Sequence, residues 1–77
     1  MIAITMPKLS HYVTDGKVTR WYKMEGDRVL EGEALLEIET IKSITDILAP
    51  GTGTVVRILV QEGETVECET LLAEIEV

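Results

Sequence analysis

The chain repeats itself. Set residues 16–40 over residues 53–77, an offset of 37, and VTRWYKMEGDRVLEGEALLEIET lies over VVRILVQEGETVECETLLAEIEV. Ten of the 25 aligned positions are identical: Gly16/Gly53, Val18/Val55, Arg20/Arg57, Glu25/Glu62, Gly26/Gly63, Val29/Val66, Leu35/Leu72, Glu37/Glu74, Ile38/Ile75 and Glu39/Glu76. Two copies are too few for a solenoid, where stacked repeats build a continuous core. In 77 residues they point instead to one domain, 1–77, made of two halves related by a quasi-two-fold axis.

Each copy reads as β. Residues 17–23 and 54–60 are rich in β-branched and apolar types. Residues 34–39 and 71–76 alternate, with Leu36 and Ile38, or Ala73 and Ile75, on one face and glutamates on the other. Period-2 alternation marks half-buried strands. Gly26 and Gly63 sit in acidic turns, where glycine takes positive φ without penalty. Asp15-Gly16 and Pro50-Gly51 are further turn signals. No window has helical periodicity. The expectation is an all-β domain of about eight short strands in two small sheets, packed as a flattened barrel or sandwich.

Composition narrows the function. A chain this short buries only roughly 60% of the surface its unfolded form exposes. It is 45% hydrophobic with no Phe, enough for one aliphatic core. A net charge of −7 argues against nucleic acid, whose phosphates would repel it, and against an anionic membrane surface. No apolar run approaches the roughly 20 residues that span a bilayer. The N-terminus lacks the basic region and apolar stretch of a signal peptide. Cys68 is a single cysteine and has no internal partner, so a reducing compartment is the expectation.

One segment is unusual. In EIETIKSITDI, residues 37–47, a strand ends and another begins, yet no Gly, Asn or Pro occupies the reversal. Lys42 stands at its tip between Ile41 and Ser43. Thr40, which ends the first copy, aligns with Val77. The two-fold therefore makes this tip the counterpart of the chain ends, and places it away from them. Most exposed lysines are simply solvated, and a lysine at a hairpin tip also discourages edge-to-edge association. Nothing around Lys42 suggests the desolvation of a catalytic or Schiff-base lysine. An exposed amine on a rigid tip is, however, well placed for modification by another protein.

Over nearly its whole length the chain resembles the lipoyl domains of the acyltransferase components of 2-oxo acid dehydrogenase complexes. MPKLS (residues 6–10), EGD (25–27), GE-x-LLEIET (32–40) and ILV-x-EG (58–63) match that family in order. The family's modified lysine falls on Lys42, with Glu39 and Thr40 preserved before it, and Gly26 and Gly53 fall where the family places glycines, which the resemblance implies are structural turn residues. Its fold, two four-stranded antiparallel sheets with quasi-two-fold symmetry, agrees with the repeat. The resemblance implies that a lipoate ligase or lipoyl transferase joins lipoate to Lys42 Nζ through an amide. It implies a swinging arm, acylated by a thiamine-diphosphate 2-oxo acid decarboxylase. An acyltransferase core would pass the acyl group to coenzyme A, and a dihydrolipoyl dehydrogenase would reoxidise the dithiol. The domain itself would catalyse nothing. It would work in the cytoplasm, or in the mitochondrial matrix of a eukaryote.

The tip departs from the family pattern. Lipoyl domains usually carry Asp before the lysine and Ala or Val after it; here Ile41 and Ser43 stand there. Biotinyl domains of carboxylases, which share the size and fold, carry Met-Lys-Met, and both methionines are missing. An unmodified structural β module is the third reading. Recognition by partners is assigned to Glu39, Thr40, Ile41 and Ser43, and to the first loop, residues 9–15, with Leu9, Ser10 and His11 named first; the family counterpart of that loop packs near the lysine turn. No metal site is expected: His11 has no Cys or carboxylate at ligand spacing. Trp21, Met6 and Met24 read as packing residues, Cys68 as exposed near a turn, and the glutamates as a solvated face.

Overall fold

The computed structural model describes residues 1–8 and 11–77. Eight strands follow in order: β1 Ile2–Thr5, β2 Asp15–Trp21, β3 Arg28–Val29, β4 Ala34–Glu39, β5 Ile44–Leu48, β6 Gly53–Ile58, β7 Thr65–Glu67 and β8 Leu71–Glu76. They form two four-stranded antiparallel sheets, ordered β1-β8-β6-β3 and β5-β4-β2-β7. Adding four to each of the first four strand numbers, and wrapping around, turns one order into the other. This is the two-fold the repeat anticipates.

The symmetry extends to single hydrogen bonds. Gly26 N–H donates to Val55 O at 2.7 Å, and its repeat mate Gly63 donates to Val18 O at 2.7 Å. Tyr22 N–H reaches Leu35 O, as Leu59 N–H reaches Leu72 O, both at 2.9 Å. Each half thus closes the other's turn. Gly26 and Gly63 both lie at φ +94°, a conformation that a Cβ disfavours.

The core lies between the sheets. Met6, Val18, Val29, Leu35, Leu36, Ile38, Val55, Leu72 and Ile75 are its large, fully buried side chains, and among the described residues no polar side chain is buried with them. Each such side chain contributes about 1.5–3 kcal/mol relative to exposure. Leu35 and Leu36 are adjacent yet both buried, as are Leu72 and Ala73. Register shifts explain this. The β4–β5 ladder slips between Ala34 and Leu36, and the β1–β8 ladder slips at Thr5 opposite Leu71. A bulge breaks strict alternation, so Leu35 joins the inward set that alternation alone gives to Leu36 and Ile38.

Four expectations are corrected, at Gly53, Gly16, Met24 and Cys68. Gly53 is not a turn residue: it opens β6, paired with Val29. A Cβ there would run into the Glu76 carbonyl oxygen and Ile75 Cγ2. Close approach of backbones, not positive φ, demands the glycine. Gly16, its mate, lies within β2 against Met6 and Ile38. Met24 is 70% exposed and lies outside the core, because it sits in the turn after β2. Cys68 is near a turn but half-buried, and its Sγ–H points at the carbonyls of Val13 (3.5 Å) and Pro7 (3.7 Å).

Candidate functional site

β4 and β5 stay paired up to Glu39 and Ile44. Residues 40–43 close the hairpin. Thr40 N–H donates to Ser43 O at 2.8 Å. The Thr40 hydroxyl donates to the same carbonyl at 3.2 Å and accepts from Lys42 N–H and Ser43 N–H, each at 3.3 Å. A threonine side chain thereby organises the turn that glycine or asparagine usually makes. Among the described residues Glu69 is the only non-glycine with positive φ, so Ile41 and Lys42 keep ordinary backbone angles and no glycine is required.

The tip offers three exposed side chains, Ile41, Lys42 and Ser43, with Ile41 90% exposed. Among the described residues no carboxylate forms an ion pair with Lys42. Its Nζ instead lies 5.1 Å from the centroid of the Tyr12 ring, within cation–π range. Tyr12 comes from the loop before β2. Next to it Val13 is inserted into the core at 3% exposure. Cys68 holds the following backbone, through Sγ to Val13 O and through its N–H to Thr14 O at 3.0 Å.

The structure therefore brings Glu39, Thr40, Ile41, Lys42 and Ser43 onto one hairpin end. It brings Tyr12, from within the loop 9–15 expected beside the tip, against the lysine. The sequence does not single Tyr12 out in that loop: it is an aromatic residue in a polar segment, 30 residues from the lysine. His11 is exposed and lines a shallow hollow with Lys8, Thr14, Glu67 and Cys68. Leu9 and Ser10 lie outside the described residues. Glu39 is exposed and bonds only through its strand backbone among the contacts described. No group of three His, Cys, Asp or Glu side chains is placed to hold a metal among the described residues.

A wider groove lies elsewhere, lined by Trp21, Lys23, Met24, Glu25, Ile58 and Glu62. Trp21 with Ile58 and Glu25 with Glu62 are repeat mates, so the groove sits between the two halves. Trp21 is half-buried, and its Nε1–H donates to Val60 O at 2.8 Å. Both glutamates are taken up by backbone N–H groups. The groove is a product of the halves' packing.

The outer face beside the tip is less plainly solvated than alternation suggests. Glu37 is half-buried and accepts from the Thr19 hydroxyl at 2.8 Å. The Tyr22 hydroxyl points to Asp46 (3.1 Å) and Glu37 (3.3 Å). Partial desolvation of the phenol, and then these two carboxylates, raise the Tyr22 pKa above 10.0.

A protein-family model described as "Biotin-requiring enzyme", covering biotin and lipoyl attachment domains, matches residues 2–75. The dihydrolipoyllysine-residue acetyltransferase component of the pyruvate dehydrogenase complex of Corynebacterium glutamicum is 43% identical over 72 residues, covering 94% of this chain and 11% of that protein. The corresponding succinyltransferase component of the 2-oxoglutarate dehydrogenase complex of Staphylococcus saprophyticus is 34% identical, with 95% and 17% covered. The chain thus spans less than a fifth of these relatives. Among solved structures, the lipoyl domain of the 2-oxoglutarate dehydrogenase complex of Azotobacter vinelandii superposes with a TM-score of 0.84 at 32% identity, covering 100% of this chain and 98% of that one. Urea carboxylase of Kluyveromyces lactis gives 0.78 at 26% identity, over 99% of this chain and 6% of that one.

Proposed function

The chain belongs to the biotin- and lipoyl-attachment family as a lipoyl-type domain, and on that premise we propose that it is a swinging-arm carrier whose lipoyl group is attached at Lys42 Nζ. The observation that carries this is the tip itself. Lys42 stands exposed on a hairpin whose backbone Thr40 holds in place, and no carboxylate pairs with its amine among the described residues.

These residues fit such a group. An extended arm needs an accessible amine and a base that does not fold back over it, and the tip supplies both. Lipoate, when attached, brings a dithiolane that can be reductively acylated and later reoxidised. The chain's own contribution is mechanical and one of recognition. β4 and β5 carry the amine to the end of a rigid sheet. Glu39, Ile41 and Ser43 surround it with side chains that a modifying enzyme can read, and His11 stands on the neighbouring loop. Tethering raises the effective concentration of the arm at each partner site without new contacts. The partners we infer are a lipoate ligase or lipoyl transferase, a thiamine-diphosphate 2-oxo acid decarboxylase, an acyltransferase core and a dihydrolipoyl dehydrogenase. The relatives' membership of 2-oxo acid dehydrogenase complexes supports the last three.

Biotin at the same lysine is the second reading. The likeness to urea carboxylase and the apolar Ile41 before the lysine favour it. Intact mass and peptide mapping after separate exposure to a lipoate ligase and a biotin ligase decide. One lipoyl group on Lys42, lost in Lys42→Arg, is the expected result. Biotin at Lys42 moves the domain to the carboxylases, and no modification by either enzyme overturns the carrier reading.

A further inference from the structure

The contact between Tyr12 and Lys42 joins two braced pieces of backbone. On one side, four hydrogen bonds centred on Thr40 fix the tip. On the other, Val13 is buried in the core and Cys68 holds Val13 O and Thr14 O. The ring that meets the ammonium is 78% exposed, so it is not held there as part of the core. Of the four lysines, Lys23 pairs with Glu33 at 3.7 Å, whereas Lys42 meets a ring. The difference matters for an amine that another enzyme must take up. A carboxylate would occupy its N–H donors. An aromatic face attracts the charge through its quadrupole and takes up no donor with a lone pair.

We propose that Tyr12 is the positioning residue of this tip: its ring seats the Lys42 ammonium before modification and lets it go once Nζ is acylated, so that residues 11–14 register whether the tip is modified. This rests on reading Lys42 as the acylated residue. In the acylation, Nζ first gives up a proton to the modifying enzyme. Its lone pair then attacks the carbonyl carbon of that enzyme's activated acyl donor. A C–N bond forms, the bond to the activating group breaks, and that group leaves with its electron pair. A second proton departs, and the product is a neutral amide. The positive charge that drew the side chain to the ring has gone. Partners arriving later therefore meet a loop freed from the lysine, while the modifying enzyme meets one that presents it.

The test uses the folded chain with Lys8, Lys17 and Lys23 changed to Arg, as prepared and after acetylation with a succinimidyl ester. NMR reads the Lys42 ε-methylene shifts and the amide signals of residues 11–14. The ring current should displace the ε-methylene signals in the parent and in Tyr12→Phe, and not in Tyr12→Leu. Acetylation should move the signals of residues 11–14 in the first two chains and leave them still in the third. Lys42 signals indifferent to Tyr12→Leu, or a loop indifferent to acetylation, overturn the proposal. With a lipoate ligase, Tyr12→Leu should raise KM for the domain about two- to five-fold, the span of an exposed cation–π contact. The kcat should stay unchanged, and Tyr12→Phe should restore KM. A ligase that ignores the parent chain counts against the lipoyl reading alone, and the chemical acetylation still decides the role of Tyr12.

Discussion

Glu25 and Glu62 exchange places across the two-fold: Glu25 Oε2 accepts from Ile58 N–H at 2.8 Å, and Glu62 Oε2 accepts from Trp21 N–H at 2.8 Å. Each carboxylate sits in the turn after one long strand and caps the end of that strand's mate. The repeat is therefore an interlock, not two stacked copies.

Removing either carboxylate leaves a strand-end N–H without its charged acceptor. Such bonds contribute about 1.5–3 kcal/mol when sheltered, and these lie at the surface. Glu25→Ala and Glu62→Ala should each cost about 1–2 kcal/mol in urea unfolding, with Glu→Gln recovering most of it. Loss of less than a few tenths from both would show that water replaces them.

The two glycines once grouped as turn residues should separate sharply. Gly26→Ala meets nothing nearby and bears only the strain of positive φ, about 1–2 kcal/mol. Gly53→Ala drives a methyl group into the β8 backbone and should cost about 3 kcal/mol or more. Equal urea midpoints for the two variants would contradict this.

Thr40 should prove the keeper of the tip. Thr40→Ala removes three side-chain bonds for a cost of about 1 kcal/mol. Its clearest sign should be faster hydrogen exchange at the Lys42 and Ser43 amides, restored by Thr40→Ser. Unchanged exchange in the alanine variant would assign the turn to the strands alone.

Tyr22 gives the fold an alkaline sensitivity. Its folded pKa is raised above 10.0. The stability it contributes is fully present below the unfolded value and is lost as pH rises through the higher folded one. Urea midpoints of the parent chain and Tyr22→Phe should converge in that window. A difference that stays constant from neutral pH to beyond it would remove Tyr22 as the cause.

Ile41 stands where the resemblance to lipoyl domains leads one to expect Asp. Being 90% exposed, it should accept Asp with a stability change under about 1 kcal/mol. Ile41→Asp should be lipoylated faster by a heterologous ligase. Equal rates would show that the enzyme does not read this position.

The repeat carried the fold into view because strand pairing and core positions recur with it: Leu35/Leu72 and Ile38/Ile75 are buried in both copies. What it concealed were features that depend on neighbours far along the chain. Gly53 and Gly26 are the same letter, but only the approach of Glu76 distinguishes their roles. Leu35 turns inward at a bulge, which alternation cannot foresee. Cys68 aligns with exposed Glu31 and so reads as surface, yet the loop before β2 covers it. At the site, Lys42 and its hairpin neighbours were legible because they are contiguous. The loop 9–15 was expected beside them, but Tyr12 was not singled out within it, since only the fold shows which of its side chains meets the lysine.

The strand path has one more consequence. β1 and β8 lie side by side, with Ile2 opposite Ile75, just as β4 and β5 do with Glu39 opposite Ile44. Residues 40–43 bridge the second pair, and the first pair stands open. The eight strands thus trace a ring with a single gap. Joining that gap with a short linker and cutting at 40–43 would yield a circularly permuted chain with the same sheets. For any polypeptide continued from either end, entry and exit share one doorway. The domain then hangs from its string like a pendant bead, and its presence hardly lengthens the path between the segments on either side.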